Sequence, residues 1–246
     1  MGQSISTQST KDKQPQTVFD TIFAFAPNRE TLGGTAYLIL EDLAPWVQTT
    51  DKEADQGGHK GANILVDCPA LTDFHREFIH SKGGIQTLFI THRGGMARVK
   101  EFQREFNAQV LIQEQEAYLL PGVETVVFHR DRTLSSTSKV IWNPGHSPGS
   151  ASLYYSNYGG VLFTGRHLVP DRNGAPVPLR LSKTFHWPRQ LRYAQQLLSD
   201  FTADDLSYIC PGASTGYLRG DKTIKAAYQQ LESTNWQALA AAKPVI

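Results

Sequence analysis

Two histidines stand where short apolar runs give way to loops, and they set the chemistry open to this chain. His92 follows Thr87-Leu88-Phe89-Ile90-Thr91, and His146 lies within Asn143-Pro144-Gly145-His146-Ser147-Pro148-Gly149-Ser150. An imidazole so placed can ligate a divalent metal through a neutral nitrogen or carry a proton near neutral pH. Asp67 closes the run Ile64-Leu65-Val66, and Arg166 ends Leu162-Phe163-Thr164-Gly165, which puts a carboxylate and a guanidinium at comparable strand ends. The two cysteines are Cys68 and Cys210. A thiolate beside either imidazole would be a nucleophilic pair or part of a ligand set, whereas the simpler reading is two small buried apolar side chains. Their separation and the lack of C-x-x-C spacing argue against a disulfide framework or a zinc ribbon, and a reducing, cytoplasmic compartment is expected.

The elements that must position these residues are legible as short β-branched and aromatic runs separated by Gly, Pro and Asn. Strands are expected at Val18–Phe25, Thr35–Leu40, Asn63–Asp67, Thr87–Thr91, Gln109–Gln113, Thr125–His129, Lys139–Trp142, Ala151–Tyr155, Val161–Thr164 and Ser207–Cys210. Helical spacing of apolar residues predicts helices over Thr72–Ser81, Ala97–Phe106, Arg189–Leu198 and Lys222–Ala241. Residues 1–16 read as a disordered polar tail and 17–246 as one domain, with the polar stretch from Thr49 to Gly58 as a solvated hairpin loop. The opening Met1-Gly2-Gln3-Ser4-Ile5-Ser6 fits the loose N-myristoylation pattern, which a plain polar tail matches readily by chance. Strand–helix–strand units, a second β run and terminal helices give a four-layer αββα sandwich, with helices outside two packed sheets.

Composition narrows the functions. Over 246 residues, 40% are hydrophobic and 19% charged, enough for a large core and too few charges for a disordered chain. The balance of 24 Lys+Arg against 23 Asp+Glu gives a net charge of +1, so neither nucleic acid nor a membrane surface is an expected partner. No apolar run is long enough to span a bilayer, and the N-terminus lacks the apolar stretch of a secretory signal. A charged ligand must then be drawn by a local patch.

Taken in order, the strand-end motifs resemble those of the metallo-β-lactamase superfamily. Thr91-His92 resembles the start of its T-H-x-H-x-D-H motif, and Asn143 to Ser150 its P-G-H-T-P-G-S loop. Leu162 to Arg166 resembles the strand ending in F-T-G-D, and Tyr208-Ile209-Cys210-Pro211-Gly212-Ala213 the late strand ending in P-G-H. Ile64 to Asp67 resembles the early strand whose Asp supports the site, and Gly33-Gly34-Thr35 is a further point of likeness. The resemblance implies a hydrolytic dinuclear zinc centre with ligands at positions 92, 94, 96, 97, 146, 166 and 213. Here those positions hold His92, Gly94, Met96, Ala97, His146, Arg166 and Ala213, so two imidazoles remain and the bridging carboxylate is a cation.

An inward-pointing guanidinium opposes metal strongly. Unit charges about 4 Å apart at an effective dielectric near 20 interact by roughly 4 kcal/mol, hence about 8 kcal/mol against a dication. No metal or other cofactor is therefore expected, with one weakly bound Zn2+ at His92 and His146 as the alternative should Arg166 turn outward. The expected ligand is a small anion or a protein partner, held in the former active-site cleft by His92, His146 and Arg166. Asp67 is expected to pair with Arg166 unless the anion does, and Arg93 to add to an anion-attracting rim. His186, before the penultimate helix, is a candidate cleft residue in the stretch from Asp171 to Trp187, where specificity would reside. His167, on the opposite side of the strand from Arg166, is expected to pack or face the surface. Two alternatives stay open: a mononuclear hydrolase of esters, thioesters, lactams or phosphodiesters with recruited ligands, and a structural subunit with a vestigial cleft.

Overall fold

Alternation along each strand sorts its residues between two cores, and this builds the layers. The computed structural model describes residues 13–41 and 62–244. The first sheet has the spatial order β1 (Gln16–Phe19), β2 (Ile22–Ala24), β3 (Tyr37–Ile39), β4 (Ile64–Val66), β5 (Thr87–Ile90), β6 (Gln109–Gln113), β7 (Thr125–Phe128). Its pairs are antiparallel as far as β4 and parallel from β4 to β7. The parallel part is crossed over by α1 (Asp73–Ser81) and α2 (Val99–Phe106). Within β5, Leu88 and Ile90 join the core under these helices with Ile79, Phe102 and Phe106, whereas Phe89 points to the other face. The Thr72 hydroxyl caps α1 by accepting from His75 N.

The second sheet contains β8 (Arg132–Thr133), β9 (Ser138–Trp142), β10 (Ala151–Tyr155), β11 (Val161–Gly165), β14 (Tyr208–Pro211) and β15 (Ile224–Lys225), in the order β15-β14-β11-β10-β9-β8. A separate hairpin, β12 (Leu168–Pro170) with β13 (Pro176–Pro178), follows β11. Between the sheets, Ile39, Val66, Phe89 and Leu111 meet Val140, Leu153, Phe163 and Cys210. On the far face, Ile141, Tyr154, Leu162 and Ile209 pack under α4 (Trp187–Asp200) and α5 (Ala227–Glu232), and α6 (Trp236–Ala241) closes the chain. These are the four expected layers.

Some boundaries differ from expectation, each for a local reason. The run Val18–Phe25 is two strands, because Asp20-Thr21 forms a turn and Thr17 pairs with Phe23. The first strand thus starts at Gln16, the last residue assigned to the tail. Lys222–Ala241 is not one helix. Ser233 and Thr234 both turn their hydroxyls onto Gln230 O, and Asn235 restarts the chain by capping α6 through Ala238 N at 2.9 Å. A short helix after β6, α3 (Glu114–Ala117), and the β12–β13 hairpin were not expected. The Thr49–Gly58 hairpin and the first twelve residues lie outside the described residues.

Bonds between the sheets tie their ends together where the histidines emerge. Ala151 N donates to Thr91 O at 2.8 Å, Thr35 N to Gly212 O at 2.9 Å, and Tyr37 Oη to Pro211 O at 2.9 Å. The loop that carries His146 is set by Gly145, whose φ is +146° and where a Cβ would collide with the backbone of Gln190 in α4. Gly145→Ala should therefore lower the unfolding free energy by about 2–3 kcal/mol in urea titrations. Gly216→Ala, where nothing lies within 4 Å of the added carbon, should change it little.

Candidate functional site

Each site residue follows the end of a strand at one edge of the sandwich. Asp67 comes straight after β4 and is held in the left-handed region at φ +58°, with its N–H donating to Phe89 O at 2.8 Å. Its two carboxylate oxygens accept from Thr91 N at 2.8 Å and Thr91 Oγ1 at 2.6 Å. Gly95 is required here, since any Cβ at 95 would collide with this carboxylate. Thr91 Oγ1 also lies 2.8 Å from His92 Nδ1. A hydroxyl has one proton, and the ionised Asp67 takes it, so His92 Nδ1–H must donate to Thr91. The proton assignment leaves His92 Nε2 as a bare acceptor, and that atom is buried without a partner.

His146 meets His92 ring to ring, with centroids 5.4 Å apart and planes at 71°. Its Nδ1 is likewise buried and unpartnered. The loop before α4 runs alongside, with Phe185 N donating to His146 O at 3.1 Å and His186 N to Gly145 O at 2.9 Å. Arg166, half-buried at the end of β11, reaches across to the first sheet. Its Nη2 donates to Thr31 O and Leu32 O, both at 3.0 Å. The expected Arg166–Asp67 pair is not made; the guanidinium turns to the Thr31 and Leu32 carbonyls, while the Asp67 oxygens are held by Thr91.

Burial governs the protonation states. It pushes His92 well below the usual imidazole range, helped by His146 and Arg166. It pushes His146 down to about 4, with Arg166 adding to the effect and the Leu179 backbone opposing it. His167 falls to about 3 for the same first reason. Burial raises Asp67 to about 6, although the Thr91 hydrogen bonds and then Arg166 work against it. At neutral pH the site thus holds neutral imidazoles, an ionised Asp67 and a guanidinium.

Other expected residues have different employment. Arg93 is not a free rim cation, since its Nε lies 3.2 Å from Oε1 of the fully buried Glu116. Glu116, on α3, also accepts from Gly149 N at 3.3 Å and bears on Asp67 through its charge. Sequence reasoning missed it, and the only signal was an acidic residue on an otherwise unremarked short helix. The His186 ring is exposed, and its Nδ1 caps α4 by accepting from Arg189 N at 3.1 Å. His167 is buried, and it packs without a partner for either ring nitrogen. Cys68 and Cys210 are buried in different cores, and burial raises both thiols, so neither is a nucleophile at this site. Phe185 is exposed and Trp187 is buried.

A dinuclear zinc centre does not fit these residues. Among the described residues no group of three or more His, Cys, Asp or Glu side chains is gathered to hold a metal ion. Arg93-Gly94-Gly95 winds into a single 3-10 turn beside His92. A Cβ on Gly94 would fall 2.7 Å from His92 Nε2 and 3.4 Å from Arg166 Nη1, so the nitrogen a metal would need lies close to a cation.

Two outcomes check this account of the site. In Asp67→Asn, the amide can donate to Thr91 Oγ1, which frees the Thr91 hydroxyl to donate to His92 Nδ1. Nitrogen NMR should find the His92 proton on Nδ1 in the wild type and on Nε2 in the variant. The second concerns pH. An imidazole depressed in the folded state leaves the unfolded chain binding more protons between the two pKa values, so its stability contribution is full above about 6.5 and is lost as pH falls. Raised Asp67 has the opposite sign, favouring the fold below its unfolded value and losing that contribution as pH rises through about 6. With three imidazoles against one carboxylate, stability should fall from pH 6.5 to 4. His167→Phe should flatten that slope near pH 5 by about one proton, or about 1.4 kcal/mol per pH unit, in denaturant titrations.

No protein-family model and no curated protein matches the sequence. Solved structures do match the architecture. The DIM-1 metallo-β-lactamase, in crystals exposed to ceftazidime, superposes with a TM-score of 0.64 at 15% identity, over 92% of this chain and 98% of its own. An archaeal metallo-β-lactamase superfamily protein from Sulfolobus tokodaii does so at 0.56 and 13%, over 92% and 88%. A metallo-β-lactamase from Pontibacter korlensis gives 0.56 and 12%, over 90% and 99%. Identities this low speak for the arrangement of the chain and carry no activity with them. Nearly full coverage on both sides, together with the two seven- and six-stranded sheets between helices, shows that the protein has the metallo-β-lactamase fold.

Proposed function

We propose that this protein binds a small anion, without a metal, at the strand ends where the fold's metal centre would stand. The observation that carries the reading is Arg166. Its guanidinium is fixed by two backbone carbonyls, and among the described residues no carboxylate lies within ion-pair distance of it. Burial draws its pKa down, the direction expected of a cation lacking enough compensation, with Asp67 as the opposing influence. An oxyanion would supply that compensation through charge-assisted hydrogen bonds. A protonated oxygen on the same anion would satisfy the bare Nε2 of His92. Because His92 and His146 are buried and Arg166 is half-buried, a ligand approaches along the guanidinium.

Hydrolysis through recruited ligands has no comparable support, since Glu116, the additional carboxylate whose charge bears on Asp67, is already paired with Arg93. Thermal unfolding of the full chain with phosphate, bicarbonate, oxalate and acetate tests the reading. At least one anion should raise the melting temperature by several degrees when near a hundredfold above its dissociation constant, equivalent to about 2.7 kcal/mol. Arg166→Ala should abolish that rise, and Arg166→Lys, which keeps the charge but not the planar donors, should leave part of it. A rise of equal size in Arg166→Ala would falsify the assignment.

A further inference from the structure

A second cavity, of about 340 Å³, lies between the β12–β13 hairpin, the first turn of α4 and the end of α6. His92, His146 and Arg166 are not among its lining residues. Val169, Val177, Leu179, Leu239 and the ring of Trp187 give it apolar walls, and its volume falls in the range of small-molecule sites. Three cations line it, Arg172, Arg180 and Lys243, and among the described residues none of them is within ion-pair distance of a carboxylate. The acidic residue on the lining, Asp171, is engaged in its own turn, where Oδ1 accepts from Asn173 N at 2.8 Å and Ala175 N at 2.9 Å. Arg180 holds the wall in place, donating to Ala242 O while its guanidinium lies 5.1 Å from the centre of the Trp187 ring.

Trp187 supplies an independent observation. The residue is 9% exposed, and its indole N–H is buried without an acceptor. Leaving such a donor unsatisfied is costly, and buried polar atoms without partners mark places where a partner is missing. Apolar walls select a hydrocarbon or aryl body, and three cations against the one carboxylate of Asp171 favour a negative head. We propose that this cavity binds an organic anion with an apolar body, its head at Arg172, Arg180 and Lys243, where it accepts from the Trp187 indole N–H, and its body against Val169, Val177 and Leu239. This site stands on its own observations and is separate from the Arg166 site.

Isothermal titration calorimetry of the full chain with octanoate, octylamine and octanol tests it, since the three probes share a body and differ in the head. Octanoate should bind at one per chain, and octylamine and octanol at least tenfold more weakly. The double variant Arg172→Gln and Lys243→Gln, changing two exposed side chains, should weaken octanoate about fivefold or more. Trp187→Phe, which keeps an aromatic side chain and removes the N–H, should weaken it about fivefold. Arg166→Ala should leave octanoate binding unchanged. Equal binding of the three probes, no octanoate binding at millimolar concentration, or loss in Arg166→Ala while the Arg172 and Lys243 variant is unaffected would each overturn the proposal.

Discussion

The Arg166 guanidinium leaves the end of β11 in the second sheet and is gripped by the carbonyls of Thr31 and Leu32, in the loop between β2 and β3 of the first. This bond places a permanent positive charge at the edge where the two sheets are tied together. Its neighbours adjust to it. His92 and His146 are kept neutral, first by burial and then by that charge, and Asp67 is made somewhat easier to ionise than burial alone would allow. A divalent ion in the same place would meet a repulsion of several kcal/mol, with two imidazoles and no carboxylate to offset it.

The supporting parts of the site nevertheless persist. Asp67, Thr91 and His92 form one hydrogen-bonded chain, and Gly95 and Gly145 allow the close approaches that hold it and the His146 loop. Such parts are also structural, since they join β4 to β5 and seat the His146 loop on α4. Three separate apolar cores, one between the sheets and one under each helical layer, stabilise the sandwich independently of any ligand. A fold so supported can lose its metal-binding side chains and remain intact.

Strand positions and the four layers were legible in the sequence because alternation and turn residues are local signals, and β6 and β10 match their expected ranges fully. His92, His146, Asp67 and Arg166 were legible as strand-end residues for the same reason. The direction of Arg166 was not. Whether it meets Asp67 or a carbonyl depends on a loop more than 130 residues away in the chain, whose carbonyls take its Nη2. Glu116 was hidden because burial of a carboxylate on a one-turn helix leaves no periodic trace. The capping role of His186 was not legible, because its loop runs beside His146 while its ring serves α4. The C-terminal run failed as a single helix because Ser233, Thr234 and Asn235 offer the backbone competing partners.

A fixed cation at Arg166 would keep a divalent metal out of this site. Metal analysis of the full chain, purified without chelator, together with calorimetric titration of zinc, measures whether it does. Well under one equivalent of metal per chain and no zinc affinity in the sub-micromolar range are expected, with Arg166→Asp binding zinc more tightly than the wild type. One or two equivalents of tightly held zinc in the wild-type protein would contradict that expectation.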